Sequence, residues 1–367
     1  NKSKNLVIIA GPCGGTGFIG KQLAHFLRWN GYEVTVVSRK PLKNGLTWEY
    51  VDRHGLPKRT AAVINLAGEN VLDFTKRWNS SFKDSVYESR VKTTCTLAKA
   101  IDEAVDKPCT FIVMSGVGIY PPSATMDYDE YTPAYEYDFL SKLVHHWEDA
   151  AVLKNPGCCR TVKIRSGVVL GREGGMIKNL YVPYFFGLGG RIGNGLQYLP
   201  WIHIDDLIQL IFFCMKNNVE GVLNGVSPNP VTNSQFTRAF AKAMRRPALF
   251  PVPGFVMNLL LGKERAVMLT QGQCVTPKRT IEYGFQYKYC DINEACKEKY
   301  LKPNCCLLLF YLYTGKIKIK YFSFLFQPLS INLLAHLDHT EPLKTMMLEA
   351  PPTTTKFTLS SKIHILY

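Results

Sequence analysis

The sequence predicts an α/β protein built on a doubly wound parallel sheet, with a smaller mixed C-terminal domain and an unassigned tail. Three observations carry this. An apolar run from Leu6 to Ala10 leads into glycines at 14, 15, 17 and 20, and then into an amphipathic segment that stops at Asn30-Gly31. Strand-like and helix-like segments alternate over most of residues 5–171. The small and polar residues that stand out all follow strand-like runs, so they gather at the carboxyl edge, where ligands bind in such sheets.

The first unit is strand, glycine turn, helix. Gly14, Gly15, Thr16, Gly17, Phe18, Ile19 and Gly20 form the turn. Gly14 permits a tight bend, Gly17 a close backbone approach to a pyrophosphate, and Gly20 close packing of helix on strand. The helix start offers free N–H groups and a positive dipole end. A glycine pattern alone fits a ligand-free turn equally, and the strand and helix around it are what make it a dinucleotide-binding signal.

Glu33 to Val37 reads as the second strand and ends in Ser38-Arg39-Lys40. An acid at this position would hold the free ribose hydroxyl of NAD, whereas Arg suits the 2′-phosphate of NADP. Leu46 to Tyr50 reads as a further short strand. Ala61 to Asn65 reads as another, running into Leu66, Ala67, Gly68 and Glu69, small enough at its centre for a flat cofactor to lie against the backbone. Ser80 to Ala104 has helical spacing, and Phe111 to Met114 is a buried-type strand that ends in Ser115. Residues 121–136, rich in proline, tyrosine and acids, read as a covering loop. Asp138 to Glu148 is the next helix and Thr161 to Arg165 the next strand.

Residues 5–171 therefore form the expected nucleotide-binding core. Residues 172–300 form a substrate or C-terminal region, with some segments returning to the core. Residues 301–367 are an appended tail, where arginine disappears and the hydrophobic period is lost. In the second region His203, beside Asp205 and Asp206, reads as a helix cap rather than a base.

With 367 residues, 46% hydrophobic and 20% charged, the chain can bury a large core. Its net charge of +15 is spread without a dense Lys/Arg block, which fits attraction of an anionic small molecule and argues against nucleic acid. The 11 cysteines include no Cys-x-x-Cys pair, so the reading is free thiols in a reducing, intracellular compartment and no metal. The cytoplasm is the first expectation, with an organelle left open. The chain opens at Asn1 without an initiator methionine, which leaves its true start open too. No apolar run is long enough to span a bilayer, and no membrane contact is expected. The expected partner is a small-molecule substrate, and the oligomeric state is not set by the sequence.

These residues resemble a family. Gly-Gly-Thr-Gly-Phe-Ile-Gly at 14–20, Ser38-Arg39, Asn65 to Asn70, Ser89-Arg90, Trp147-Glu148, Arg165 to Gly171, Trp201 to Leu207, Thr276-Pro277-Lys278 and Gly284-Phe285 are similar to the atypical extended short-chain dehydrogenase/reductases called epimerase-family or cell-division-inhibitor-like proteins. The resemblance runs from about residue 5 to 300. It implies a Rossmann-type core that binds NADP(H), with an undefined substrate. The chain departs from the pattern where Gly11-Pro12-Cys13 separates the strand from the glycines, and where the usual Tyr-x-x-x-Lys reads Asp138-x-x-x-Lys142. The tail has no counterpart in the family.

The resemblance implies an NADP(H)-dependent oxidoreductase or epimerase. The alternative is a catalytically degenerate NADP(H)-binding sensor or regulatory module, which the missing tyrosine favours. In the enzyme reading Ser115 is the orienting hydroxyl, Lys142 holds the nicotinamide ribose, and Tyr120 is the proton donor ahead of Tyr135. The plainer reading of Tyr120, placed ahead of catalysis, is an aromatic lid packing on the cofactor.

Overall fold

A computed structural model describes residues 5–11, 17–73 and 75–297. Gly14, Gly15, Thr16 and the tail at 301–367 lie outside the described residues.

The first half alternates as its periodicity predicts. β1 (Leu6–Ala10), α1 (Phe18–Trp29) and β2 (Glu33–Ser38) are followed by β3 (Gly45–Thr47) and α2 (Trp48–His54). The strand expected at Leu46 to Tyr50 thus stops after three residues, because the Thr47 side chain accepts from Tyr50 N–H and caps a helix there. β4 (Thr60–Asn65) precedes α3 (Ser80–Glu88) and α4 (Val91–Glu103). The single helix expected over Ser80 to Ala104 is divided at Ser89-Arg90, where Ser89 Oγ donates to Val86 O and accepts from Glu69 N–H. β5 (Thr110–Gly116), β6 (Asp127–Tyr128), α5 (Phe139–Asp149) and β7 (Arg160–Ser166) complete this half.

The second half contains β8 (Val168–Leu170), α6 (Gly175–Phe185), β9 (Tyr198–Leu199), β10 (Trp201–His203), α7 (Ile204–Lys216), β11 (Gly221–Gly225), β12 (Val231–Thr232) and α8 (Asn233–Met244). After these come α9 (Gly254–Leu261), α10 (Lys263–Thr270), β13 (Cys274–Val275), α11 (Lys278–Glu282) and α12 (Ile292–Lys297). His203 is the N-cap of α7, its ring nitrogen accepting from Asp205 N–H at 3.2 Å.

Seven strands form one parallel sheet in the order β11-β7-β5-β4-β1-β2-β3. Alternation along the strands feeds two cores. Val7, Ile9, Ile64, Ile112 and Ile164 pack with Leu23 and Leu27 of α1 and Leu207 and Ile211 of α7. Ile8, Val37, Val63, Phe111 and Val113 pack with Leu97 and Ile101 of α4 and Trp147 of α5. Helices therefore cover both faces, as a buried parallel sheet requires. A third core, around Trp201, Phe236 and Phe240, lies among α6, α8 and α12. β6, in the segment read as a covering loop, pairs with β13.

Candidate functional site

The carboxyl edge of the sheet has an open side and a closed side. The open side lies at the ends of β1, β2 and β4. α1 begins there with Gly17 as N-cap, with no side-chain cap and no acid in its first turn. Its leading N–H groups therefore have no anion or cap among the described residues, and they carry the positive end of a 12-residue helix. Phe18 anchors this start, because Gly171 and Gly174 lie against its ring and a Cβ at either would come within 2.5 Å of it. Ile19 packs on the core and Gly20 is buried.

At the end of β2, Ser38 is buried and its hydroxyl donates to Lys40 O, inside its own turn. Arg39 points outward, with its side chain 57% exposed and one guanidinium nitrogen 3.7 Å from Glu69 Oε2. Lys76 holds the other Glu69 oxygen at 2.5 Å. The segment after β4 is fastened along its length. Leu66 N–H donates to Ala10 O, and buried Ala67 donates to Asn65 Oδ1, whose amide in turn donates to Thr94. Glu69 N–H donates to Ser89, and Arg90 donates to Glu69 O at 2.9 Å. Gly68 makes room for Arg90, since a Cβ there would stand 2.9 Å from the guanidinium carbon. Burial lowers the Arg90 pKa to about 10, against the pull of Glu69, so it stays charged at neutral pH.

The closed side lies at the ends of β5, β7 and β11. Ser115 shares the face of Phe111 and Val113, which α5 covers, and its hydroxyl donates to Glu148 Oε1 at 2.8 Å. Glu148 accepts a two-pronged contact from Arg165, at 2.9 Å on each oxygen. Arg165 also donates to the Tyr120 hydroxyl at 2.9 Å. The single Tyr120 hydroxyl proton has two acceptors, Asn224 Oδ1 and Asp129 O, both at 3.0 Å. Asn224 in turn donates to Thr276 O, and its N–H to Glu130. All these groups but Asp129, Glu130 and Thr276 are buried. Burial alone would lower the Arg165 pKa, but Glu148 raises it on balance. Burial raises that of Tyr120, opposed by Arg165. Tyr120, in the bend that follows β5, is thus enclosed by protein rather than laid over the site as a lid. It is 0% exposed and stacks on Tyr128.

Asp138, at the usual tyrosine position, caps α5 in a reciprocal box with Ser141. Lys142 follows on the exposed face of α5. Tyr137 precedes the cap, so helical geometry does not direct its ring. Its hydroxyl lies 2.9 Å from both Gly118 O and Tyr120 O, just past the end of β5, and it remains partly exposed. Burial, with Asp138 nearby, raises its pKa, so the phenol is neutral. Tyr135 lies exposed beside it.

The structure therefore brings Gly17 to Gly20, Ser38-Arg39 and Leu66 to Glu69 to one side, and Ser115 with Tyr120 to the other. Lys142 joins neither hydrogen-bonded group. Sequence reasoning missed Glu148, Arg165 and Asn224 as one network, although Trp147-Glu148 and Arg165-Ser166 stood out as motifs. It also missed Arg265 of α10, which donates to Val71 O, Asp73 O and Lys76 O and so ties the C-terminal region to the segment bearing Glu69. Nothing in the local sequence around Arg265 signals this. Among the described residues no cluster of His, Cys, Asp or Glu has the make-up of a metal site.

Residues 13–226 match the model of the NAD dependent epimerase/dehydratase family. The chain belongs to that family. Residues 252–298 match a further domain of unknown function, DUF1731. Among epimerase-family relatives, the chain is 47% identical over 288 residues to a cattle (Bos taurus) protein named epimerase family protein SDR39U1, covering 78% of this chain and 97% of the relative. It is 33% identical over 299 residues to an Arabidopsis thaliana homologue named as chloroplastic, covering 77% and 84%. The crystal structure of human SDR39U1 (isoform 2) with NADPH superposes with a TM-score of 0.77 at 45% identity, covering 80% of this chain and 98% of that one. No helix among the described residues is long and apolar enough to cross a membrane.

Proposed function

We propose that the protein binds NADP(H) at the open side and acts as an oxidoreductase or epimerase on a small molecule. The observation that carries this is the start of α1, with no side-chain cap among the described residues and no acid in its first turn, at the same sheet edge as the exposed guanidinium of Arg39. A pyrophosphate fits the first and a 2′-phosphate the second. The human relative crystallised with NADPH supports the choice of cofactor.

When bound, the cofactor supplies a hydride donor or acceptor. The chain's own residues do the rest. Gly17 and the first turn of α1 receive phosphate, Arg39 pairs with the 2′-phosphate in competition with Glu69, and Lys76 holds that carboxylate back. Leu66 to Gly68 present a flat wall. Lys142 is the cation for the nicotinamide ribose. Tyr137, neutral and partly exposed at the end of β5, donates the proton in place of Tyr120.

A second reading has its own support. Ser115, Tyr120 and Asp138 are all committed to partners within the protein, which favours a cofactor-binding module without turnover. Calorimetric titration with NADPH and NADH, followed by NADPH oxidation over a panel of carbonyl substrates, separates the two. Tight NADPH binding with turnover supports the enzyme. Binding without turnover on any substrate supports the sensor, and equal affinity for both cofactors removes the NADP(H) assignment.

A further inference from the structure

Two segments on the C-terminal side share an unusual composition. No Asp or Glu occurs between Glu173 and Asp205, or between Glu220 and Glu264. The second stretch nevertheless carries Arg238, Lys242, Arg245, Arg246 and Lys263. The fold brings the two segments together. Leu188 bridges Ala248 and Ile192 bridges Val252. Val252 N–H donates to Arg191 O at 2.8 Å, and Gly193 N–H to Val252 O at 2.9 Å. Arg246 donates to Phe185 O and lies over its ring. Gly190 permits this approach, since a Cβ there would lie 1.9 Å from Phe250 O.

Large apolar side chains of these segments are exposed. Phe186, Leu196, Leu249 and Phe250 are exposed, and on α9 Phe255 is 70% and Leu259 79% exposed. α9 reads Gly-Phe-Val-Met-Asn-Leu-Leu-Leu, apolar nearly all round, yet only Leu261 is buried and its principal neighbour is α10. A helix of this kind is normally enclosed by protein or by lipid. Two exposed cations lie close by, Arg191, whose carbonyl accepts from Val252 N–H two residues before α9, and Lys263, two residues after it. The nearby acid, Glu264, is paired with Lys83 and Trp78.

We propose that α9 and the Leu249-Phe250 turn dock the protein on an anionic lipid surface. The apolar side chains enter the headgroup boundary and the surrounding cations pair with the lipid anions. This departs from the expectation of no membrane contact. It agrees with the lack of a spanning helix among the described residues, since an eight-residue helix lies along a surface rather than through it. Charge selects lipid over a second copy of the chain, because a two-fold interface would set these cations against themselves. The proposal does not rest on the NADP(H) reading.

The test is co-sedimentation of the full chain with vesicles of phosphatidylcholine, with and without phosphatidylserine, at low and high salt. Binding is expected only with phosphatidylserine, weakening as salt rises. Leu259→Asp and Lys263→Glu should each lower the partition coefficient, roughly tenfold for the first. Both positions are exposed, and an acid in the first turn of α10 favours that helix, so an unchanged melting temperature is expected as the folding control. Three results would overturn the proposal. The first is no binding to phosphatidylserine vesicles. The second is binding that Leu259→Asp leaves intact, which would assign it to another part of the chain. The third is a dimer in sedimentation that Leu259→Asp dissociates.

Discussion

The two sides of the carboxyl edge use charge in opposite ways. At β5, β7 and β11, Glu148 and Arg165 are buried and pair with each other, with Ser115 and with Tyr120. At β1 and β2, the start of α1 has no side-chain cap among the described residues and Arg39 stands largely in solvent. Buried charges must be paired, because an unpaired one costs several kcal/mol. Polar groups left without a strong partner at the surface are the ones a ligand can use. The difference teaches that a hydroxyl at the end of a strand is not thereby a catalytic hydroxyl. Its face on the strand decides whether it meets ligand or protein.

The sharpest way to break this contrast is Arg165→Met. It leaves Glu148 buried without its partner, and a loss of about 3–5 kcal/mol in unfolding free energy is expected from urea denaturation. A loss below about 1 kcal/mol would show that the closed side is not a structural fastening. Next in size is Arg39→Ala. A charge-assisted contact to phosphate is worth roughly 1.5–3 kcal/mol, and the exposure of Arg39 places it at the lower end. NADPH affinity should fall about tenfold in calorimetry while NADH affinity holds. Equal losses for both cofactors would refute the assignment.

Ser115→Ala sharpens the contrast further. It removes one hydrogen bond to a carboxylate that keeps both contacts to Arg165, so about 1 kcal/mol of stability should go. NADPH affinity and any turnover should not change. A loss of turnover at constant stability would instead move Ser115 into the chemistry. The smallest effect belongs to Glu264 of α10, which pairs with Lys83 and accepts from the Trp78 indole. Its hydrogen bonds to Lys83 and Trp78 lower its pKa. A lowered acid contributes stability that is complete above the ordinary glutamate range and is lost as pH falls through the lowered folded value. Because the group is largely exposed, Glu264→Gln should cost under about 1 kcal/mol at neutral pH. The difference from the parent should vanish in acid melts.

Most elements were legible from period and turn chemistry. β1, α1, β2, β4 and β5 follow from local alternation, helical spacing and glycine stops. The misreadings lie where a side chain outcompetes the pattern. Thr47 turns an apparent strand into a helix start, and Ser89 cuts one helical pattern into two. The open side was legible because its signals are glycines, a strand end and a basic pair close together in the chain.

The closed side was not legible, because its contacts span the chain. Ser115 meets Glu148 across 33 residues, and Tyr120 meets Asn224 across 104. Strand phase fixes that Ser115 shares a face with Phe111 and Val113, and composition fixes the acid-free basic stretch that spans α8 and α9. That α5 covers this face of β5, and that segments 185–193 and 246–252 meet, follows from the tertiary structure alone. Phase and composition are local properties. The partner on a given face depends on sheet order and crossover, which bring residues together by packing rather than by sequence distance.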